Sequence, residues 1–270
     1  MTYRVVIWGT GNVGRPAIRA VAAHRDLELA GVIVANPAKV GVDAGELAGI
    51  APLGVLATDD TSIAFAADVD AVVYAATADT RPMEAYMDLE RCLRSGRNVV
   101  STSFYPLLHP GSMPPELTGL LEPAWTAGGS SVFVSGIDPG WALDILPGLV
   151  SGVGAGITEI RIQEVFNYAL YDQPDVVRNM IGLGGPMEVK PQMLQDISLH
   201  MVWAPMVRIV AEMLEVELDE LTTSVEMLPL ERTIEVDGMG TFEEGTLGAF
   251  RFDVTGVVQG HPLIVVEHVT

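Results

Sequence analysis

The stretch VVIWGTGNVGRPAIRA, residues 5–20, decides the fold. Its four leading apolar residues predict a buried strand, and the residues after the glycines have a helical pattern. In a G-x-G-x-x-G turn between strand and helix, the first glycine makes the turn, the second admits a pyrophosphate and the third packs the helix closely. A purely structural turn is the alternative. We predict that a dinucleotide is held by Gly9, Thr10, Gly11, Asn12, Val13 and Gly14.

The first half of the chain alternates apolar strand patterns with helical ones. Strands that are apolar on both faces indicate a parallel sheet covered by helices on both sides. Right-handed crossovers then give a doubly wound α/β Rossmann domain, which we place at residues 1–140. The predicted strands are Tyr3–Trp8, Leu29–Ala35, Leu53–Ala57, Ala71–Thr77, Asn98–Ser101 and Ser131–Ser135; the predicted helices are Arg15–His24, Thr61–Ala67 (capped by Thr61) and Pro82–Ser95.

The pattern changes after about residue 140. Segments such as Glu159–Val165 and Thr246–Val258 alternate polar and apolar residues, which indicates strands with one solvated face. A long helical stretch, Pro191–Glu217, contains Pro205, which must break or kink it. We therefore predict that residues 141–270 form an α+β domain on a largely antiparallel sheet.

Composition excludes several classes of function. The net charge of −20 argues against nucleic acid as a partner, because phosphates require clustered Lys and Arg. No apolar run approaches the roughly 20 residues of a membrane helix, and no secretory signal precedes the first strand. The single cysteine, Cys92, predicts a structural thiol and a cytoplasmic location.

The residues after the second strand favour one dinucleotide over the other. A carboxylate at that strand's tip would hold the ribose hydroxyl of NAD, but Asn36 stands there instead. Lys39 lies within reach of a 2′-phosphate, so we predict NADP(H), with NAD(H) as a possible second cofactor. Later strand ends add four candidate cofactor contacts: Thr77, Ala78, Ser101 and Thr102.

Several segments together resemble one family. They are GTGNVG (9–14), NPAKVGVDAGEL (36–47), GRNVVSTSF (96–104), SGIDPGWALDILP (135–147) and the C-terminal GTLGAFRFDVTGVVQGHPLIVVEHVT. The chain resembles the dihydrodipicolinate reductase-like superfamily, and within it the branch of 2,4-diaminopentanoate dehydrogenase and the native amine dehydrogenases. The resemblance implies a Rossmann domain, a dimerising sheet domain, a substrate cleft between them, and interconversion of an amine with a carbonyl compound plus ammonia. It also implies a further segment after Thr270.

Two departures from that family stand out. The basic His-His…Lys signature and the Ser-Gly-Thr loop of dihydrodipicolinate reductase itself are missing, so lysine biosynthesis is not expected. The amine dehydrogenases place a glutamate in the loop after the fifth strand, at the position of Phe104. The whole stretch STSFYPLLHPG, residues 101–111, has no carboxylate. Amine chemistry therefore lacks its usual acid, whereas hydride transfer is unaffected.

Hydride transfer needs a proton donor near the developing anion. We predict Tyr168, Tyr171 and His109 as candidate catalytic residues, each weighed against an ordinary packing or surface position. The resemblance implies that Phe104, Asp138 and Trp141 line the substrate pocket, and a helix cap after Pro139 is the alternative for Asp138. No metal site is expected.

These inferences combine into an NAD(P)H-dependent oxidoreductase acting on a small, fairly apolar carbonyl, imine or amine. Two alternatives remain open. One is a dinucleotide-binding protein without turnover, and the other is a C=C or C=O reductase with a tyrosine donor. A homodimer and a small-molecule substrate are the predicted partners.

Overall fold

The computed structural model describes residues 1–78 and 81–270, in two compact units. The first comprises Met1–Gly136 and the second Ile137–Thr270. Asp138 thus belongs to the second unit, whereas the sequence placed it at the end of the first. Within the described ranges, no helix has the length and apolar character needed to cross a membrane.

The first unit is built on a six-stranded sheet in the order β3-β2-β1-β4-β5-β6, with every pairing parallel. This is the strand order of the Rossmann fold. The strand order reverses between the paired strands β1 and β4, and dinucleotides bind at this switch point in such folds. The strands are β1 (Tyr3–Trp8), β2 (Leu27–Ile33), β3 (Ala57–Thr58), β4 (Ala71–Tyr74), β5 (Asn98–Ser101) and β6 (Val132–Val134). The helices are α1 (Gly14–Ala23), α2 (Ala44–Ala48), α3 (Pro82–Arg94), α4 (Pro115–Thr118) and α5 (Glu122–Gly128).

Both faces of this sheet are covered, as the apolar strands predicted. Val5 and Ile7 of β1 belong to a core that includes Ile18 of α1, while Val6 and Trp8 belong to the opposite core with Leu89 of α3. Cys92 is also buried on α3, and burial raises the pKa of its thiol to about 12. It is a structural thiol, as predicted.

Several predicted elements of this unit differ from the structure: the strand predicted over Ala71–Thr77 ends at Tyr74, the strand predicted over Leu29–Ala35 is Leu27–Ile33, and two more elements are shortened by side-chain contacts. The strand predicted over Leu53–Ala57 is only the two-residue β3, because Leu53 and Gly54 instead donate their backbone N–H groups to the Asp43 carboxylate. The predicted helix at Thr61–Ala67 is a 3-10 turn over Thr61–Phe65. Its cap is the side chain of Asp60, not Thr61.

The second unit is built on a four-stranded sheet in the order β7-β12-β11-β8. Two of the three pairings are antiparallel, while β7 and β12 run parallel, so the sheet is mixed. A separate two-stranded hairpin completes the strands. The strands are β7 (Ile160–Val165), β8 (Glu220–Pro229), β9 (Ile234–Val236), β10 (Gly240–Phe242), β11 (Leu247–Val258) and β12 (His261–Val269).

Three helices accompany this sheet: α6 (Ile145–Ser151), α7 (Asp196–Val202) and α8 (Ala204–Met213). The predicted break at Pro205 is present, since α7 ends and α8 begins on either side of Trp203. Helix α8 packs on β11 through Val207, where Gly256 permits the close approach: a Cβ there would lie 2.7 Å from the Val207 side chain. This packing holds Trp203 against the sheet, close to the polar residues described below.

Candidate functional site

The glycine loop of the first unit is fixed by backbone contacts. Gly9 has a φ of +105°, and a Cβ at Gly9 would come within 2.8 Å of the Ala75 backbone at the end of β4. A Cβ at Gly14 would overlap the carbonyl oxygen of Gly9. The first and third glycines therefore have the two packing tasks of the dinucleotide turn.

Gly11 is different, because no contact among the described residues requires a glycine there. A Cβ at Gly11 would meet no described atom within 4 Å. No described side chain caps the N-terminus of α1, and the first turn of this helix contains no acidic residue. An open backbone in front of an uncapped helix N-terminus is an arrangement that suits a pyrophosphate.

The loop after β2 reaches back to this turn through Lys39. Its ammonium group donates to both the carbonyl and the hydroxyl oxygen of Thr10, at 3.2 Å each. Asn36 caps the short turn that carries Lys39, since its side chain accepts from the Ala38 N–H at 3.0 Å. A positive charge therefore lies on the rim of the glycine loop.

The later strand ends give less specific results. The buried Ser101 hydroxyl donates to the Tyr74 carbonyl at 3.0 Å and accepts from the Ser103 N–H, so it ties β5 to β4. The cofactor roles of Ser101, Thr102, Thr77 and Ala78 stay predictions. The loop after β5 continues with Phe104, which packs on the core of the first unit, and half-buried His109.

The second unit brings together three titratable side chains that the sequence leaves far apart. Glu164 on β7 and His268 on β12 are paired across the parallel strands, and Asp138 precedes α6. The imidazole Nδ1 of His268 lies 2.6 Å from Glu164 Oε2 and 3.6 Å from Asp138 Oδ2. We call Asp138, Glu164 and His268 the acid–imidazole cluster.

Aromatic side chains surround the cluster. The His268 ring stacks on Phe252 at 5.1 Å between centroids, and the Tyr168 hydroxyl lies 3.3 Å from His268 Nε2. The indole N–H of Trp203 donates to Asp138 Oδ1 at 2.8 Å. These contacts keep His268 only 3% exposed while its two nitrogens face polar partners.

Burial and mutual contact set the protonation of the cluster. Burial would lower the pKa of His268, but Asp138 and Glu164 outweigh it and raise this pKa to about 9. Burial raises the pKa of the Glu164 carboxyl, with a contribution from Asp138. Burial would also raise the pKa of Asp138, yet hydrogen bonds from His268, Glu164 and Trp203 keep it below its usual value. These shifts favour an imidazolium at His268, an ionised Asp138 and a Glu164 that can hold or release a proton.

The structure corrects one alternative for Asp138. Asp138 caps no helix, because the residues that follow it are not helical. Helix α6 begins at Ile145, and its N-cap is the side chain of Asp144. Trp141 is 47% exposed. The Tyr171 hydroxyl accepts from Gln173 Nε2 at 3.0 Å, whereas Tyr168 is the tyrosine next to His268. The pocket and catalytic roles of these residues stay predictions.

Sequence reasoning missed Glu164 and His268. The available signal was a pair of charged or titratable residues, Glu267 and His268, inside the apolar run LIVVEHVT. Both are buried, which the two-residue period of a half-solvated strand does not allow for. The partner of His268 depends on which strand lies beside β12, and that is a property of the fold.

A cavity of about 850 Å³ adjoins the cluster between α6 and β7. Asp138 and Glu164 are part of its wall, together with apolar side chains of both elements and the polar residues Ser151, Glu159, Arg161 and Gln163. The apolar lining includes Ala142, Leu143, Leu146, Pro147, Val150 and Ile162. The second unit thus offers two carboxylates at the edge of an apolar space.

Comparison with known proteins extends these observations. The family model described as dihydrodipicolinate reductase, N-terminus, matches residues 3–104. An amine dehydrogenase of Streptomyces virginiae is 52% identical over 266 residues, covering 98% of this chain and 74% of that protein. A 4-hydroxy-tetrahydrodipicolinate reductase of Anaeromyxobacter is 38% identical over 104 residues, which span only 37% of its length.

Solved structures share the fold. The amine dehydrogenase from Mycobacterium smegmatis matches with a TM-score of 0.74 at 18% identity, covering 100% of this chain and 79% of that one. The biliverdin reductase of Synechocystis, solved with biliverdin and NADP⁺, matches with a TM-score of 0.54 at 12% identity, covering 98% and 72%. At such identities the likeness shows the fold alone.

Proposed function

The chain belongs to the amine dehydrogenase family within the dihydrodipicolinate reductase-like superfamily, and we propose that it interconverts a small apolar amine with a carbonyl compound and ammonia, using NADP(H). Family membership makes it an NAD(P)-dependent oxidoreductase. The 52% identity to an amine dehydrogenase over nearly the whole chain is the observation that carries the amine chemistry. A homodimer, as predicted from the sequence, is part of the proposal.

The first unit would hold the dinucleotide. Gly11 leaves room for the pyrophosphate at the uncapped N-terminus of α1, and Gly9 and Gly14 keep that loop close to the sheet. The nicotinamide, when bound, supplies or accepts the hydride. Lys39, on the rim of the loop, would exchange its contacts with Thr10 for a 2′-phosphate, which favours NADP(H) over NAD(H).

The reaction balances as carbonyl compound, ammonium, NADPH and one proton giving the protonated amine, NADP⁺ and water. Proton transfers therefore accompany every turnover, and the loop at residues 101–111 has no carboxylate for them. Tyr168 is the better placed of the two predicted tyrosines, since its hydroxyl faces His268 Nε2 at 3.3 Å. We therefore propose that the Tyr168 hydroxyl takes part in these proton transfers.

Turnover tests this proposal. We expect the purified chain to oxidise NADPH in the presence of a short aliphatic ketone only when ammonium is added, with amine as the product by mass spectrometry. The control omits ammonium, because a simple ketone reductase would form the alcohol at an equal rate. Ammonium-independent oxidation of NADPH, or alcohol as the main product, would contradict amine dehydrogenase activity while leaving the oxidoreductase assignment intact.

A further inference from the structure

The acid–imidazole cluster contains more hydrogen-bond acceptors than donors. Two carboxylates together offer about eight lone-pair positions. Among the described residues, the indole N–H of Trp203 donates to Asp138, whereas His268 Nδ1 lies 2.6 Å from Glu164 Oε2 without the geometry of a hydrogen bond. Buried carboxylates in such an excess favour a ligand that brings donors and a positive charge.

Charge leads to the same ligand. Glu164 donates to Asp138 while it is protonated, and once Glu164 is ionised the cluster of two carboxylates and an imidazolium has a net charge of −1. The arginines nearest in sequence and on the sheet are used elsewhere: Arg161 and Arg251 pair with Glu267. An ammonium ion, or the nitrogen of a protonated primary amine, has one positive charge and at least three N–H donors, and it would complete the cluster.

The neighbouring cavity fits the remainder of an amine. Glu164 and Ile162 are two positions apart and lie on the same face of β7. Both line the cavity, and Leu146 and Pro147 of α6 line it as well. A nitrogen bound at the carboxylates would direct an alkyl group into this apolar space. The apolar part of the cavity, between α6 and Ile162, therefore suits a short hydrocarbon group.

We propose that Asp138 and Glu164, oriented by His268, hold the ammonium or amine nitrogen, and that Glu164 exchanges its proton in place of the carboxylate missing from the loop after β5. This inference rests on the proposed function. Asp138 acts as the fixed negative charge, and His268 is a positioning residue that keeps Glu164 in place at 2.6 Å.

The proton transfers balance. The Glu164 carboxylate takes one proton from ammonium, the freed ammonia forms the N–C bond as the C=O π bond opens, and a proton passes from the new ammonium nitrogen to the alkoxide oxygen, giving a neutral carbinolamine. Glu164 then returns its proton to the hydroxyl group, which leaves as water, and the C=N bond of the iminium forms. The iminium would be the acceptor for the hydride that a bound nicotinamide supplies. Glu164 ends the sequence ionised, as it began.

The experiment compares Glu164→Gln with Glu226→Gln, which removes an exposed carboxylate from β8 of the same sheet. Steady-state rates are measured with NADPH, a short ketone and varied ammonium. Glu164→Gln is expected to lose about 100-fold or more in kcat/KM for ammonium, with unchanged affinity for NADPH. Glu226→Gln is expected to match the wild type, and Glu164→Asp to recover part of the rate. Unchanged ammonium kinetics in Glu164→Gln would overturn the inference.

A binding measurement separates this inference from the proposed function. Calorimetry with isopropylammonium and the NADPH-loaded chain involves no turnover. It therefore measures binding of the amine at the cluster independently of the reaction. Binding by the wild type that is lost in Glu164→Gln and Asp138→Asn supports the inference even if no ketone is turned over. Equal binding in these variants contradicts it. Because the three donor atoms lie within 4.8 Å of one another, EDTA and Zn²⁺ are included: inactivation by EDTA reversed by Zn²⁺ would make the cluster a metal site and overturn the inference.

Discussion

The two units contrast in how sequence gives rise to a site. In the first, the glycine loop is one contiguous stretch, and the contacts that explain Gly9 and Gly14 lie within it or on the adjacent strand. In the second, Asp138, Glu164 and His268 come from three distant segments and meet only when β7 pairs with β12. Local backbone geometry fixes the first site, whereas tertiary pairing fixes the second.

The contrast explains where function varies within such a fold. A glycine loop is constrained by backbone overlap and tolerates little change. A cluster assembled from side chains of neighbouring strands can gain or lose a carboxylate without rebuilding the backbone. In this chain the loop after β5 has Phe104 where the related enzymes have a glutamate. The carboxylates of Asp138 and Glu164 lie instead beside the buried His268 of the second unit.

The largest expected effect separates the two kinds of glycine. Gly14→Ala should destabilise the first unit by about 1–3 kcal/mol, because the new methyl overlaps the Gly9 carbonyl, and it should abolish dinucleotide binding. Gly11→Ala should leave the melting temperature unchanged and still weaken NADPH binding about tenfold or more, because the methyl occupies only the space left for the pyrophosphate. Thermal melts and NADPH titrations of both variants check this. Wild-type affinity in Gly11→Ala would show that the loop is a structural turn.

A second prediction concerns the cluster and pH. The folded pKa of His268 is raised to about 9 from 6.5, so its stabilisation is complete below pH 6.5 and is lost as pH rises through 9. A pKa shift of this size contributes about 3 kcal/mol to the free energy of unfolding at low pH. The groups facing the imidazole are Asp138, Glu164 and Tyr168, with Tyr171 behind Tyr168.

Denaturant unfolding at several pH values tests it, with His268→Gln as the reference. The free energy of unfolding of the wild type should exceed that of the variant at pH 6.5, and the gap should close by about pH 9.5. A gap that stays constant across this range would mean that His268 is neutral in the folded protein and that the carboxylates do not hold its proton.

The sequence predicts most of the first unit. The strand predicted over Asn98–Ser101, and Gly96 as the stop signal after α3, match the structure because each is a local signal, whereas the strand predicted over Ala71–Thr77 begins at Ala71 and ends at Tyr74. The elements that differ, at Leu53–Ala57 and Thr61–Ala67, are those where carboxylates of Asp43 and Asp60 capture the backbone. Such competition between side chain and strand is not visible in hydropathy.

The second unit shows the limit of local reasoning. Tyr168 was predicted from its position after a strand, and Asp138 by resemblance, but neither pattern indicates that His268 joins them. Glu164 looks like an ordinary solvated position in the alternating run EIRIQEV. Only the register that pairs Glu164 with His268 across β7 and β12 turns these residues into a cluster.

The measurement that tests the account most directly is a fluorescence titration of the chain with NADPH and NADH in parallel, on the wild type, Lys39→Ala and the control Lys190→Ala. Lys190 is a partly exposed lysine of the second unit that pairs with Asp196. We predict tighter binding of NADPH than NADH, a loss of about tenfold for NADPH alone in Lys39→Ala, and no change in Lys190→Ala. Absence of binding by either dinucleotide would contradict the assignment of the glycine loop and every functional conclusion built on it.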